Sequence, residues 1–260
     1  MVFLTKNNFI RILFLLVVLF SFSSCEPDEE RFSLNIEFKH LINDQEIVYG
    51  NDNMIYDNNT SNTYSVRRIL YILSDITLYF DDGSNLLLDD FLFINTDDSG
   101  TIFHTIDNLP ALCSGISFRL GFSSENNIDN AYVNSSDNFH LSMLWPNLNG
   151  TNLAFQGGYH YMKLEGKYLL STYYPDGSFS EDSYFYNTHT GPINGEDLSI
   201  LYPEFNFTPS ENIIIEMDVN NWYNNPVYML ADVGSAIMDN TSAQNMLYQN
   251  GSDVFFVKSE

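Results

Sequence analysis

The chain has 260 residues, and its 10 Lys and Arg against 34 Asp and Glu give a formal net charge of −24 at pH 7. Such an acidic protein is repelled by polyphosphate chains and by anionic lipid surfaces, which argues against nucleic-acid binding and electrostatic membrane docking. Hydrophobic residues make up 44% of the chain and aromatic residues 15%. This composition predicts a folded, β-rich protein whose aromatic side chains pack on sheets.

The first segment, residues 1–24, is typical of a lipoprotein signal peptide. Its basic start precedes an apolar stretch that is too short to span a bilayer. Two serines then precede Cys25, as in a lipobox, where the cysteine is acylated and becomes the new N-terminus. The alternative is an ordinary secretory signal with an incidental cysteine. We expect the mature chain to be anchored to a membrane through Cys25.

An acidic tether, residues 25–31, follows the lipidation site. It resembles the sorting signals that send some lipoproteins to the outer face of a Gram-negative outer membrane, although a solvated linker is the alternative. Residues 32–260 are expected to form a single domain in the cell envelope, either facing the periplasm or exposed at the surface. With Cys25 lipidated, Cys113 has no partner, so we expect a buried thiol and no disulfide framework.

Apolar and polar residues alternate with period two along most of the domain, which predicts strands. The predicted strands cover residues 32–41, 64–80, 86–94, 100–106, 114–122, 158–170, 179–189, 211–219 and 252–258. A single helix of three to four turns is predicted over 235–249, before Gly251 as its C-cap. Segment 122–157 has no pattern and is predicted to be a long loop. The fold class is therefore all-β, an antiparallel β-sandwich with a short C-terminal helix.

Catalytic signatures are absent from the sequence. It contains no nucleophile elbow of the form GxSxG, no glycine-rich phosphate loop and no HExxH motif. We therefore predict that the protein is not an enzyme.

Histidines are the candidate functional residues. Strand alternation puts His40 on an apolar face, and it puts His160 on the face of Met162 and Leu164. Leaving a buried polar group unsatisfied costs about 1–3 kcal/mol. Neutral imidazoles suit copper or zinc, so a shared metal would satisfy several rings together. The alternative is a core histidine that is hydrogen-bonded to a backbone carbonyl or a tyrosine.

His189 lies on the strand after that of His160, and a turn at 173–179 would let the two strands pair as a hairpin. Counted from Asp176, the two histidines are offset by three residues, so their rings need not be directly opposed. His104 and His140 are weaker metal-ligand candidates.

Several segments resemble, in order, those of the MbnP-like copper-binding proteins. They include ILSDITL at 72–78 with its flanks, GISFRLGF at 115–122, MLW at 143–145, GGYHYMKLEG at 157–166, YNTHT at 186–190 and the stretch 213–226. The similarity covers most of residues 32–258.

The resemblance implies a copper site built from histidines and a tryptophan that a partner dihaem enzyme oxidises to kynurenine. By position, Trp145 corresponds to that tryptophan, and His160, His189 and His40 correspond to histidines of the family. Together with the lipobox and the acidic tether, the resemblance predicts a non-enzymatic copper-binding lipoprotein of the outer membrane.

This chain departs from the family pattern in two places. Asn147 stands where characterised members have a second tryptophan, and the cysteine that follows the last histidine motif is missing after Gly191. A different class of function is therefore kept beside copper binding. It is a surface module for glycan binding, protein binding or adhesion, with the aromatic segment 122–157 as the binding loop.

Overall fold

The computed structural model describes residues 30–50, 52, 54–58, 63–135 and 138–260. The predicted signal peptide, Cys25 and the tether up to residue 29 lie outside the described residues. Among the helices that are described, none is long and apolar enough to cross a membrane.

Two β-sheets make up most of the domain. In chain order the strands are β1 (Phe32–Ile42), β2 (Gln45–Glu46), β3 (Tyr56–Asp57), β4 (Thr63–Phe80), β5 (Asn85–Leu87), β6 (Leu92–Asn95), β7 (Phe103–Leu109), β8 (Cys113–Leu120), β9 (Met162–Tyr173), β10 (Phe179–Thr190), β11 (Ile200–Ser210), β12 (Asn212–Asp218) and β13 (Phe255–Ser259). The α-helices are α1 (Phe139–Met143), α2 (Leu230–Val233) and α3 (Thr241–Asn250). Short 3₁₀ helices cover Ser99–Thr101, Val219–Tyr223 and Gly251–Asp253.

The smaller sheet has the order β13-β12-β1-β2, with β7 also paired to β1. The larger sheet has the order β10-β9-β4-β8-β11, and the short strands β3, β5 and β6 pair with β4. Within the described part of the chain, β1 and β12 pair in parallel and the other strand pairs of the sheets are antiparallel. The predicted antiparallel β-sandwich is confirmed, with one parallel pair that the alternation pattern could not reveal.

The core lies between the two sheets. Alternate residues of β1, including Leu34, Ile36 and Phe38, are buried, as its alternation predicts. Phe38 meets Tyr71 of β4 edge to face, with ring centroids 6.2 Å apart, so the inner faces of the two sheets interdigitate. Burying each such side chain stabilises the fold by about 1.5–3 kcal/mol.

Strand β11 was not predicted. Pro203 and Pro209 interrupt its sequence, and most of its residues are exposed. It lies at the edge of the larger sheet, where proline is tolerated because the missing N–H is not needed by a second neighbour.

The C-terminal helix is shorter than the predicted span 235–249. It begins after Asn240, whose side chain accepts a hydrogen bond from the backbone N–H of Ala243, and it runs to Asn250. The N-cap therefore sets the start, and the residues before it take a turn instead.

Segment 122–157 contains α1 and an inward-facing aromatic cluster. Phe122 and Phe139 of this segment are almost completely buried and pack against Met143 and against Tyr159, which lies just after the segment's end. The rings of Phe139 and Tyr159 stack with centroids 5.2 Å apart. These aromatic residues form a small satellite core that holds the segment on the larger sheet.

Candidate metal centre

The hairpin of β9 and β10 positions the two candidate ligands. The strands pair in one continuous register, in which His189 is opposite Lys163 and Asn187 is opposite Glu165. His160 lies two residues before β9 begins, so the offset that the sequence indicates is kept. Strand alternation does not extend to His160, and its ring therefore does not follow Met162 and Leu164 into the main core.

The backbone before β9 turns sharply at two glycines. Gly157 and Gly158 have φ of +86° and +87°, a region that side-chain-bearing residues rarely adopt. A Cβ atom on Gly158 would lie 2.7 Å from Asn127 Oδ1, and the same amide oxygen accepts from the N–H of Tyr159. The turn brings the N–H of His160 to the carbonyl of Met143 at 2.7 Å.

The His160 ring is buried and has one unpartnered nitrogen. Its Nδ1 lies 3.0 Å from the carbonyl oxygen of Met143. Because a carbonyl only accepts, Nδ1 carries the hydrogen and Nε2 presents a lone pair. Nε2 is buried and has no hydrogen-bond partner among the described residues. Burial, together with the nearby His189 and Lys163, holds the pKa of His160 well below its ordinary value, so the ring is neutral.

The His189 ring is oriented by a carboxylate. Its Nε2 lies 3.0 Å from Glu165 Oε1, and Glu165 also accepts from Arg68 Nε at 2.6 Å. Burial alone would raise the pKa of Glu165, but the hydrogen bonds from His189 and Arg68 outweigh it and lower the pKa to about 2. The ionised carboxylate fixes the hydrogen on Nε2 of His189 and leaves Nδ1 as the lone-pair nitrogen.

The two rings meet at the end of the hairpin. Their centroids are 5.1 Å apart and their planes are nearly perpendicular, at 87°. Burial is the main reason that the pKa of His189 is also lowered. Each ring thus donates one N–H to a fixed oxygen and keeps one lone-pair nitrogen, which is the arrangement of histidines that bind metals.

Trp145 forms a wall of this site. Its ring centroid is 4.8 Å from that of His160, and its indole N–H donates to the carbonyl of Ala154 at 2.9 Å. The side chain is fully buried. A Cβ atom on Gly191 would lie 2.4 Å from Trp145 Cε3, so only glycine lets the indole pack beside the end of β10.

The histidine pair has charged neighbours on β4 and β9. Lys163 Nζ donates to the carbonyl of Ser142 at 3.1 Å and lies 3.9 Å from Glu165, and burial lowers its pKa. Arg67 lies 3.6 Å from Asp97, and Arg68 pairs with both Glu165 and Asp97. Three cations, Lys163, Arg67 and Arg68, therefore share two carboxylates, Glu165 and Asp97, around the two neutral rings.

The sequence matches the MbnP family model over residues 31–242. The chain belongs to the MbnP family. Among solved structures, MbnP from Methylosinus trichosporium is similar, with a TM-score of 0.48 and 12% sequence identity over 88% of this chain and 99% of that chain. No curated protein sequence gives a significant match.

The third predicted ligand of this MbnP family member, His40, lies in a different environment. Its Nε2 is 3.2 Å from the hydroxyl of Tyr71, and its ring contacts those of Tyr71 and Tyr49 edge to face. Among the described residues, no group of three or more His, Cys, Asp or Glu side chains has metal-binding spacing. The structure brings His160 and His189 together but does not bring His40 to them.

The remaining histidines have protein partners of their own. His104 Nε2 lies 2.9 Å from the carbonyl of Thr101, and His140 Nδ1 lies 2.9 Å from the hydroxyl of Tyr159. Both are only partly buried.

Sequence reasoning missed Glu165 and Gly191. The alternation of the hairpin could have identified Glu165. Lys163 and Glu165 lie on the same face of β9, and His189 is paired with Lys163 on that face. Gly191 directly follows the predicted strand that carries His189, but only the position of Trp145 in space explains why a glycine is needed there.

Proposed function

We propose that this protein binds copper through His160 and His189 and has no enzymatic activity. The observation that carries the proposal is the buried Nε2 of His160, which has a lone pair and no partner in the described part of the chain. An unsatisfied buried group of this kind costs about 1–3 kcal/mol, and a metal ion bound there would remove that cost.

The donor set suits copper. Neutral imidazoles bind copper and zinc, and Cu(II) stands at the top of the affinity order for divalent first-row metals. Glu165 and the Met143 carbonyl each hold one ring in the tautomer that presents a lone pair, as the outer-shell partners of metal-binding histidines do. Membership of the MbnP family supports copper over zinc, in line with the resemblance found in the sequence.

A bound copper ion would supply a redox-active cation, and the chain would supply its position. His160 and His189 hold the metal, Glu165 fixes the ring of His189, and Trp145 closes one side of the site against water. Because both histidine pKa values are lowered, the rings stay neutral and able to bind metal in mildly acidic surroundings.

The cellular setting is part of the proposal. Acylation of Cys25 would anchor the domain to the outer membrane, and a dihaem enzyme would be the partner that oxidises Trp145. The lipobox-like sequence before Cys25 and the short distance between Trp145 and His160 support these two points. Mass spectrometry of protein isolated from its own cells tests both, since it would detect a lipid on Cys25 and a kynurenine at position 145.

Copper titration of the purified domain tests the site. We expect wild type to bind stoichiometric copper, and both His160→Ala and His189→Ala to lose at least about 100-fold in affinity, since removing a ligand costs more than removing its outer-shell partner. His104→Ala is the matched control, because His104 is a partly buried histidine that lies outside the pair of His160 and His189. If both site variants bind copper as tightly as wild type, the proposal is wrong.

A further inference from the structure

Three buried polar atoms that lack hydrogen-bond partners in the described part of the chain belong to residues that line one small cavity beside β10 and α3. They are the hydroxyl oxygen of Thr190, the indole nitrogen of Trp222 and the side-chain oxygen of Gln244, and none has a hydrogen-bond partner among the described residues. All three residues line the same cavity, which has a volume of about 10 Å³. It is separate from the proposed copper site, although Thr190 directly follows His189.

The hydrogen-bonding roles of these atoms are fixed by their chemistry. The Trp222 indole nitrogen can only donate. The Gln244 amide is oriented by its nitrogen, which donates to the carbonyl of His189 at 2.7 Å and to that of Ile237 at 3.2 Å. Both of those partners only accept, so the other end of the amide must be the oxygen. The Thr190 hydroxyl can donate or accept.

We propose that this cavity binds one water molecule. The water accepts a hydrogen bond from Trp222 Nε1, donates one to Gln244 Oε1 and forms a third with the Thr190 hydroxyl. A buried water molecule needs a volume of about 10–15 Å³, which agrees with the volume of the cavity. A buried water usually forms about three hydrogen bonds. A metal cation could not accept from the indole N–H, and a halide ion could not donate to the amide oxygen, so water fits both ends.

The bound water links three parts of the chain that are distant in sequence. Thr190 ends β10, Trp222 lies in the 3₁₀ helix Val219–Tyr223, and Gln244 lies in α3. Gln244 also holds the backbone of His189 through the carbonyl bond. The water therefore connects α3 and the 3₁₀ helix Val219–Tyr223 by hydrogen bonds to the end of β10, the strand that carries His189.

The two tryptophans allow a direct test by NMR on the full chain. We expect a water-to-protein NOE at the indole N–H of Trp222 and none at that of Trp145, which donates to the Ala154 carbonyl and serves as the internal control. A high-resolution crystal structure should show one ordered water within hydrogen-bond distance of all three atoms. A dry cavity, or the same NMR response at both indoles, would overturn the proposal.

The sign of a stability change provides a second test. Thr190→Val removes the hydroxyl with little change in shape. If the hydroxyl bonds a water, the substitution lowers the midpoint of urea unfolding, as Thr188→Val should do by breaking the bond to Tyr223. If the hydroxyl is unsatisfied, Thr190→Val leaves the midpoint unchanged or raises it, and the proposed water is refuted.

Discussion

Two buried histidines of this domain differ in what their Nε2 atoms contact. His40 and His160 are 4% and 5% exposed, and burial lowers the pKa of both. In His40, Nε2 lies 3.2 Å from the Tyr71 hydroxyl, whereas in His160 it has no partner in the described residues. Burial alone therefore does not distinguish the two histidines. They differ at Nε2, which has a protein partner in His40 and none among the described residues in His160.

The comparison predicts opposite roles for the two side chains. His40 contributes to the stability of the metal-free fold, because its hydrogen bond and ring contacts join β1 to β4. His160 carries an unsatisfied atom, which lowers its own contribution to metal-free stability and leaves it free to bind an ion.

The largest expected effect is on stability. We expect His40→Ala to lower the unfolding free energy of the metal-free protein by about 2–4 kcal/mol, because it leaves a cavity and an unpartnered Tyr71 hydroxyl. His160→Ala should cost clearly less, because it also removes an unsatisfied nitrogen. Urea unfolding of the two variants measures both values. Equal losses would show that the two histidines have the same structural role.

Glu165→Gln should reduce copper affinity by about 10–100-fold, as expected when the outer-shell partner of a metal ligand is weakened. The amide keeps the shape of the side chain but loses the charge that holds the tautomer of His189 and pairs with Arg68. Asp97→Asn is the matched control, because Asp97 also pairs with Arg68 and Arg67 and is not bonded to His189. Copper titration showing the same loss in both variants would contradict the role given to Glu165.

The pH dependence of stability distinguishes His40 from a solvated histidine. Burial lowers its pKa to about 3, whereas an unfolded histidine has a pKa of about 6.5. Below pH 6.5 His40 binds a proton in the unfolded chain but stays neutral in the folded chain. The free energy of unfolding therefore falls by about 1.4 kcal/mol per pH unit until the pH reaches the folded pKa.

His40→Phe should remove that contribution from the slope. Urea unfolding at several pH values between 7 and about 4 compares the two proteins, within the window set by the two pKa values. If wild type and His40→Phe lose stability with the same slope as the pH falls, His40 binds its proton equally well in the folded and unfolded chains, which would contradict the prediction.

The smallest effect is expected at His140. This side chain is partly buried, and its one observed partner is the Tyr159 hydroxyl, so His140→Ala should cost less than about 1 kcal/mol. Copper affinity should stay the same, because the ring lies outside the pair of His160 and His189. A loss of copper binding measured by titration would move the metal site toward α1.

Much of this architecture could be predicted from local patterns. The alternation of Leu34, Ile36 and Phe38 correctly predicts the buried face of β1, and the turn at 173–179 correctly predicts the hairpin of β9 and β10. The parallel pairing of β1 with β12 could not be predicted, because alternation indicates a strand but not its neighbour.

The site was only partly predictable for a similar reason. The sequence pointed to His160 and His189, and their offset of three residues is present in the register of the hairpin. His40 has the same apolar alternation, but its hydrogen bond to Tyr71 depends on packing between two sheets. No sequence pattern distinguishes a histidine that is satisfied by a distant tyrosine from one that is not.

The parallel pair has a consequence for the order in which the chain can fold. Asn35 of β1 lies beside Asn212 of β12, 177 residues away, but it also contacts Thr105 of β7, which is 70 residues away. The ribosome synthesises β7 well before β12. Pairing strands that are distant in sequence also costs more loop-closure entropy before any contact forms. We therefore expect β1 to associate first with β7, and its other edge to stay open as a template for aggregation until nearly the whole chain has emerged.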